Sequence, residues 1–328
     1  MKISTLNKNE KVEEGVGIQK FASDVHTGLL ASPKRISAKY FYDKKGSELF
    51  QKITEHIDYY PTRVETEILN DIKQVLPTII GEKEIDIIEL GAGDGHKSKI
   101  IIKGFLREDI RVNYYPIDIS EKAMTQLKTT IKPRDNLTIH GIVGEYNEGL
   151  NFVNKKSKNK KLVLFLGSNI GNFNRVENKA FLNNLNKSLN KKDHVLIGYD
   201  LKKDIKTLNQ AYNDSGGLTK EFNLNLLKRI NKELGGNFDS NKFDHYGVYN
   251  PILGAMESHL ISKEEQLIYI KELTQTIHFE AHEPLHLEYS FKFTEKDIIK
   301  LSKQTGYEVI NNFTDTKKYF IDSLWQVI

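Results

Sequence analysis

The chain has 328 residues, 38% of them apolar and 28% charged, with a net charge of +4. That length can bury one large core or two, the composition excludes disorder as the default, and so small a net charge gives no reason to expect nucleic acid. Cysteine is absent, which excludes disulfides, thiolate catalysis and zinc–thiolate sites.

In chain order, Lys8 to Glu14 is polar and expected to be loosely ordered. Gly15 to Leu30 predicts an amphipathic helix, with Val16, Ile18, Phe21, Val25 and Leu29 spaced for one face. Gly46-Ser47 opens a short helix carrying Leu49, Phe50 and Ile53, and Pro61 sets the start of a helix continuing from Thr62 to Val75. Tyr40, Phe41, Tyr42, Tyr59 and Tyr60 gather here. They either pack this segment onto the body of the protein or wall a small-molecule pocket.

From Glu84 to Asp200 strand and helix patterns alternate, with strands expected at 85–90, 112–118, 137–143, 162–167 and 193–200. Such alternation implies a parallel sheet covered on both faces, with ligands bound beyond the carboxyl ends of its strands. The central stretch is I-D-I-I-E-L-G-A-G-D-G-H-K, Ile85 to Lys97. Glycines at alternate positions let the backbone turn tightly and approach a ligand, and the following helix directs unpaired N–H groups toward it. A structural turn is the competing reading. Glu89 just before Gly91 matches the E-x-G-x-G-x-G form of S-adenosylmethionine (AdoMet) enzymes rather than the dinucleotide fingerprint. Asp118, ending the second strand, stands where a carboxylate accepts ribose hydroxyls. Gly144-Glu145-Tyr146 follows the third strand and could lie against an adenine. Gly167-Ser168-Asn169-Ile170-Gly171-Asn172 follows the fourth, either as a substrate-facing loop or as a glycine-rich turn into the helix from Val176 to Leu189. The run Lys155 to Lys161 reads as a solvated loop.

Between Lys202 and Glu283 the alternation stops, and a mostly helical insertion is expected, a lid or second lobe, with Gly235-Gly236 capping Leu224 to Leu234 and strand-like pieces around Ala255 to Ile261 and Gln266 to Ile270. His278, His282 and His286 recur every fourth residue, but Pro284 breaks any helix that would align them on a metal, so they are expected as solvated loop residues. Leu287 to Phe293 alternates, and strands at 307–313 and 319–327 close the chain around a helix from Lys296 to Thr305. No apolar run approaches a membrane span and Met1-Lys2-Ile3-Ser4 carries no signal-peptide core, so the cytoplasm is the expected location.

Several motifs combine in order along nearly the whole chain: K-Y-F-Y-D-K-K-G-S-E-L-F, Y-Y-P-T-R-V-E, E-L-G-A-G, F-L-G-S-N-I-G-N, Y-D-L-K-K-D, A-Y-N-D-S-G-G-L-T-K-E-F-N and E-Y-S-F-K-F. In this the sequence resembles the histidine Nα-methyltransferases of ergothioneine biosynthesis, which transfer three methyl groups from AdoMet to the α-amine of L-histidine to give hercynine. The resemblance implies a Rossmann-like class I AdoMet methyltransferase sheet, an α/β fold, with an inserted, mostly helical substrate-binding lobe. The divisions it implies are 1–62 for the N-terminal part of that lobe, 63–201 for the AdoMet-binding core, 202–286 for the inserted part, and 287–328 for strands completing the core.

By the same resemblance Gly91, Gly93, Lys97, Asp118, Glu145 and Tyr146 contact AdoMet. Tyr59, Asn172, Tyr212, Glu288 and Ser290 contact histidine, with Asn172 and Tyr212 on its carboxylate and Tyr59, Glu288 and Ser290 on its imidazole. Tyr42 lies close to the amine, and Tyr42 and Asn172 are the residues expected at the reacting group. S-adenosylhomocysteine is the expected by-product, no metal is expected, and the chain is expected to act as a monomer without nucleic acid or membrane. Three positions depart from the family pattern. Glu145 stands where another acid, often Asp, is usual, Asn169 replaces a common Thr, and Ser258 matches a methionine found near the substrate in some members. The last bears on specificity, and the alternative activity is Nα-methylation of another free amino acid such as tryptophan or tyrosine, with RNA or protein methylation further off.

Overall fold

The computed structural model describes residues 1–6 and 14–328. The polar stretch from Lys8 lies outside these residues except for Glu14, which begins the first helix. The chain forms two compact units: Met1–Asn9, Arg63–Lys202 and Lys292–Ile328 make one, and Glu10–Thr62 with Lys203–Phe291 make the other. Elements are numbered below in chain order across both.

The first unit is a layered α/β structure. Its strands are β1 (Lys2–Thr5), β2 (Glu84–Leu90), β3 (Arg111–Asp118), β4 (Leu137–Val143), β5 (Lys161–Phe165), β6 (His194–Asp200), β12 (Tyr307–Thr314) and β13 (Phe320–Val327). Its helices are α3 (Tyr60–Ile72), α4 (Val75–Ile80), α5 (His96–Arg107), α6 (Glu121–Thr130), α7 (Tyr146–Lys156), α8 (Arg175–Lys187) and α11 (Glu295–Gln304). The expected strands between 85 and 200 form within one or two residues of their predicted bounds, because runs such as Ile85 to Leu90, in which even Asp86 and Glu89 are buried, are covered on both faces. The strands assemble in the order β1-β4-β3-β2-β5-β6-β13-β12. All neighbours are parallel except β13, which runs antiparallel to both β6 and β12. Order reverses at β2, so the loops after β2 and β5 open at the topological switch point where such sheets bind ligands.

The second unit contains α1 (Glu14–Leu29), α2 (Lys44–Glu55), α9 (Ile205–Tyr212), α10 (Leu218–Leu234), and the strands β7 (Phe243–Asn250), β8 (Ala255–Ser262), β9 (Gln266–Ile270), β10 (Gln275–Phe279) and β11 (Pro284–Phe291). A three-stranded antiparallel sheet, β11-β8-β7, and a hairpin, β9-β10, pack with the helices around one core. That core joins Phe21, Phe41, Leu49 and Ile53 from the earlier segment to Phe222, Leu226 and Ile230 from the later one.

Three expectations are corrected. The insertion holds about as much strand as helix, because β7, β10 and β11 join the strand-like pieces expected around Ala255 to Ile261 and Gln266 to Ile270. The strand Leu287 to Phe291 pairs with β8 in the second unit instead of completing the large sheet. Alternation announces a strand but does not name its partner. Lys2–Thr5, expected within the substrate lobe, is instead an edge strand of the large sheet, held through its backbone to β4 with mostly exposed side chains.

Candidate active site

In the first unit the chain leaves β2 through Gly91, Gly93 and Gly95, all with positive φ (75°, 52° and 75°). A Cβ at Gly91 would lie 3.0 Å from the Tyr146 hydroxyl and 3.6 Å from Asn169 Nδ2, so the absent side chain leaves a cradle lined by those two residues. Asp118, at the end of β3, accepts hydrogen bonds from the Gly93 N–H (3.1 Å) and the Ser120 N–H (2.9 Å). Burial raises its carboxyl above the usual range, and these backbone donors oppose the rise. Tyr146 begins α7, with its ring against Phe165 and Phe181, and burial pushes its hydroxyl well up. Glu145 occupies the exposed cap position before it. Gly91, Gly93, Asp118, Tyr146 and Asn169 are therefore brought together.

Lys97, on the first turns of α5, is ion-paired with Glu65, whose side chain is fully buried. The other Glu65 oxygen accepts the Gly167 N–H at 2.6 Å, which ties α3 to the loop after β5. That loop runs through Ser168, with φ 56°, into a short 3-10 turn, Asn169–Asn172, and leaves Asn172 exposed at its end. Asp322 on β13 faces Gly198 on β6 across the sheet and is buried with neither carboxyl oxygen hydrogen-bonded. Burial and then the Glu65 charge raise its carboxyl well above that of a normal aspartate, while Lys97 opposes the rise. A Cβ at 198 would lie 2.5 Å from Glu65 Oε1 and 3.0 Å from the Phe320 ring, so any side chain there would displace them.

Glu89, the acid before the glycine loop, is buried under it. It accepts a hydrogen bond from the Tyr114 hydroxyl, and Tyr114 in turn contacts Ser98 Oγ at 2.8 Å. Burial pushes the Glu89 carboxyl up to about 7, against these hydrogen bonds.

In the second unit Tyr212, at the end of α9, donates to Ser290 Oγ at 2.7 Å. Glu288 and Ser290 pair with Ser258 and Met256 of β8, after a bulge that shifts the register between His286 and Glu288. Past the bulge, Glu288 and Ser290 share one face, alongside Ser258. Tyr42 packs edge-on against Phe50 (5.4 Å) and Phe222 (5.6 Å) with much of its surface still exposed, and Tyr59 packs against Phe50 (6.4 Å). Tyr40, Phe41 and Tyr60 are buried and serve packing. The segment before α10 is anchored: Asp58 accepts from the Ser215 N–H and hydroxyl, and Asp214 accepts from the N–H groups of Leu218 and Thr219.

Glu65 and Asp322 are the residues that sequence reasoning missed. Glu65 closes the motif Y-Y-P-T-R-V-E, and Asp322 is the lone acid in a largely apolar strand. An acid inside such a run was the available signal.

The strand order with an inserted antiparallel strand, and the glycine cradle with a carboxylate at the end of the next strand, define a class I AdoMet-dependent methyltransferase. Residues 21–327 match the family model described as histidine-specific methyltransferase, SAM-dependent, and the chain belongs to that family. It is 31% identical to a histidine N-alpha-methyltransferase of Mycobacterium tuberculosis over 96% of both chains. It is also 31% identical to one of Mycolicibacterium smegmatis, over 89% of this chain and 90% of the other. Among solved structures, a 1,6-didemethyltoxoflavin N1-methyltransferase of Burkholderia thailandensis aligns with a TM-score of 0.40 at 8% identity, over 86% of this chain and 88% of the other. No helix among the described residues is long and apolar enough to cross a membrane.

Proposed function

We propose that the protein methylates the α-amine of free L-histidine three times, giving hercynine, with AdoMet as the donor. The observation that carries the substrate assignment is the polar group on β11, where Tyr212 donates into Ser290 Oγ and Glu288 shares its face. Accepting the Tyr212 hydrogen bond orients the Ser290 hydroxyl to donate one of its own. A carboxylate acceptor and a hydroxyl donor together satisfy both nitrogens of a neutral imidazole, one as N–H and one as lone pair. An indole or phenol side chain leaves one of these two protein groups unpaired, which in a buried site gives discrimination of several orders of magnitude. Tyr212 orients that donor; with Asn172 it is also assigned to the substrate carboxylate, as the family resemblance implies.

The residues of the first unit fit AdoMet. Gly91 leaves room where a side chain would fill the cradle, Asp118 offers a carboxylate to ribose hydroxyls, and Tyr146 offers an aromatic face to adenine. Lys97 would meet the carboxylate of the methionine moiety. The bound cofactor supplies an electrophilic methyl on a sulfonium. The protein's task is positioning, together with removal of one proton from nitrogen before each transfer. Tyr42, exposed on one side and fixed by Phe50 and Phe222 on the other, is assigned to hold the amine and pass its proton to solvent.

Mass spectrometry on protein incubated with AdoMet and a panel of amino acids tests this reading. A gain of three methyl groups on histidine alone is expected, with Glu288→Ala reducing kcat/KM for histidine by roughly a hundredfold or more. Methylation of tryptophan or tyrosine in its place, or a Glu288→Ala variant of near-normal activity on histidine, would refute the assigned recognition.

A further inference from the structure

The face of the β8–β11 pair opposite Ser258 and Glu288 carries Glu257, His259, His286 and Tyr289. Glu257 and His259 are two residues apart on β8, and His286 lies directly across from His259. The bulge after His286 brings Tyr289 onto the same side, where its ring lies 4.1 Å from that of His286. One ligating atom each from Glu257, His259 and His286 lies within 4.8 Å of the other two.

The hydrogen bonding of this cluster is incomplete. His259 Nδ1 and His286 Nε2 are shielded from solvent and have no hydrogen-bond partner. His259 Nε2 approaches Glu257 Oε2 only to 3.4 Å, longer than a good hydrogen bond. Glu257 is itself oriented, because Asn250 Nδ2 donates to its Oε1 at 2.7 Å and leaves Oε2 toward the histidines. Burying two imidazole nitrogens without partners is unfavourable, and a shared cation would satisfy both.

We propose that Glu257, His259 and His286 form a binding site for a divalent transition-metal ion of the zinc class, outside the methyl-transfer machinery. Two imidazoles and a carboxylate are a common zinc ligand set, with a fourth position open to water. Tetrahedral bonds of ordinary length need donors about 3.4 Å apart, so the more widely separated donors would draw together on loading. Imidazole ligates a metal in its neutral form. Burial lowers His286 to about 4, helped by His259 and Arg35, and burial lowers His259 against the pull of Glu257. The ion would clamp β8 to β11 beside the bulge that orients Glu288. This differs from the helical His278-His282-His286 set considered in the sequence. His278 pairs with Glu265, which precedes the β9–β10 hairpin, and His282 sits in a turn at φ 66°.

The test is a titration of tag-free, histidine-free protein with Zn²⁺, read by calorimetry, by retained metal after gel filtration and by the unfolding temperature. One equivalent is expected to bind and to raise the unfolding temperature. His259→Gln and His286→Gln should each weaken binding by roughly tenfold or more, while His278→Gln should leave it unchanged. Glu257→Gln, which keeps the bond from Asn250, should weaken it by about as much, and it decides the matter if the histidine variants misfold. Wild-type protein that retains no Zn²⁺, or a Glu257→Gln variant that binds it as tightly, would overturn the proposal.

Discussion

At the scale of single residues, the first unit depends on acids placed where solvent is excluded. Glu65 receives both the Lys97 ammonium and the Gly167 N–H. Glu65→Gln keeps the shape but removes the charge that holds Lys97. Hydrogen bonds to charged partners contribute about 1.5–3 kcal/mol, so S-adenosylhomocysteine affinity should fall roughly tenfold or more by calorimetry, with the KM for AdoMet rising more than kcat falls. Unchanged affinity would show that Lys97 needs no such support. Glu89 makes a separate prediction about pH. Its folded-state value of about 7 exceeds the ordinary 4.5. Between those values the folded chain binds more protons than the unfolded one, so stability falls as pH rises from 4.5 to about 7 and is flat above. The slope reaches at most about 1.4 kcal/mol per pH unit. Glu89→Gln should remove this contribution, so denaturation curves of the two proteins should diverge in favour of the variant as pH is raised through that window.

At the scale of elements, local signals and caps agree. Helix α2 follows from Asp43, whose side chain accepts from the Gly46 N–H at 2.6 Å and also from Asn225 Nδ2 of α10 at 2.8 Å. Removing a capping side chain costs about 1 kcal/mol, and this one also joins two helices. Asp43→Ala should therefore lower stability by roughly 1–3 kcal/mol in a denaturant titration, with loss at the upper end if the link to Asn225 matters as much as the cap. Gly217 and Gly235, with φ of 69° and 66°, bound α10 at its two ends, as expected for glycines at helix termini. The strand ending in E-Y-S-F was legible as a strand but not as a partner of β8. Its bulge, which decides which side chains share a face with Glu288, leaves no mark in a simple alternation.

At the scale of the whole molecule, the chain returns repeatedly to units it has left. The first unit is built from three segments and the second from two. The large sheet is complete only when β13, far along the chain from β6, inserts beside it. The core of the second unit likewise requires Phe21 and Phe41 to meet Leu226 and Phe279. Neither unit is a continuous domain, and sequence divisions drawn at 62, 201 and 286 approximate surfaces that only long-range pairing defines.

What the sequence determined by itself was whatever depends on short-range physics. Apolar runs of strand length, glycines at 91, 93 and 95, an aspartate at the next strand end and helix-capping residues each state their local structure, because φ/ψ limits and burial act within a few residues. Its motifs also placed the chain in its family. The tertiary structure alone decided that β1 edges the large sheet, that β11 belongs with β8, that Glu65 and Asp322 share a buried cluster, and that His259 and His286 face each other. Those are pairings of residues far apart in sequence. They are selected by the total free energy of packing and hydrogen-bond satisfaction, which no local pattern encodes.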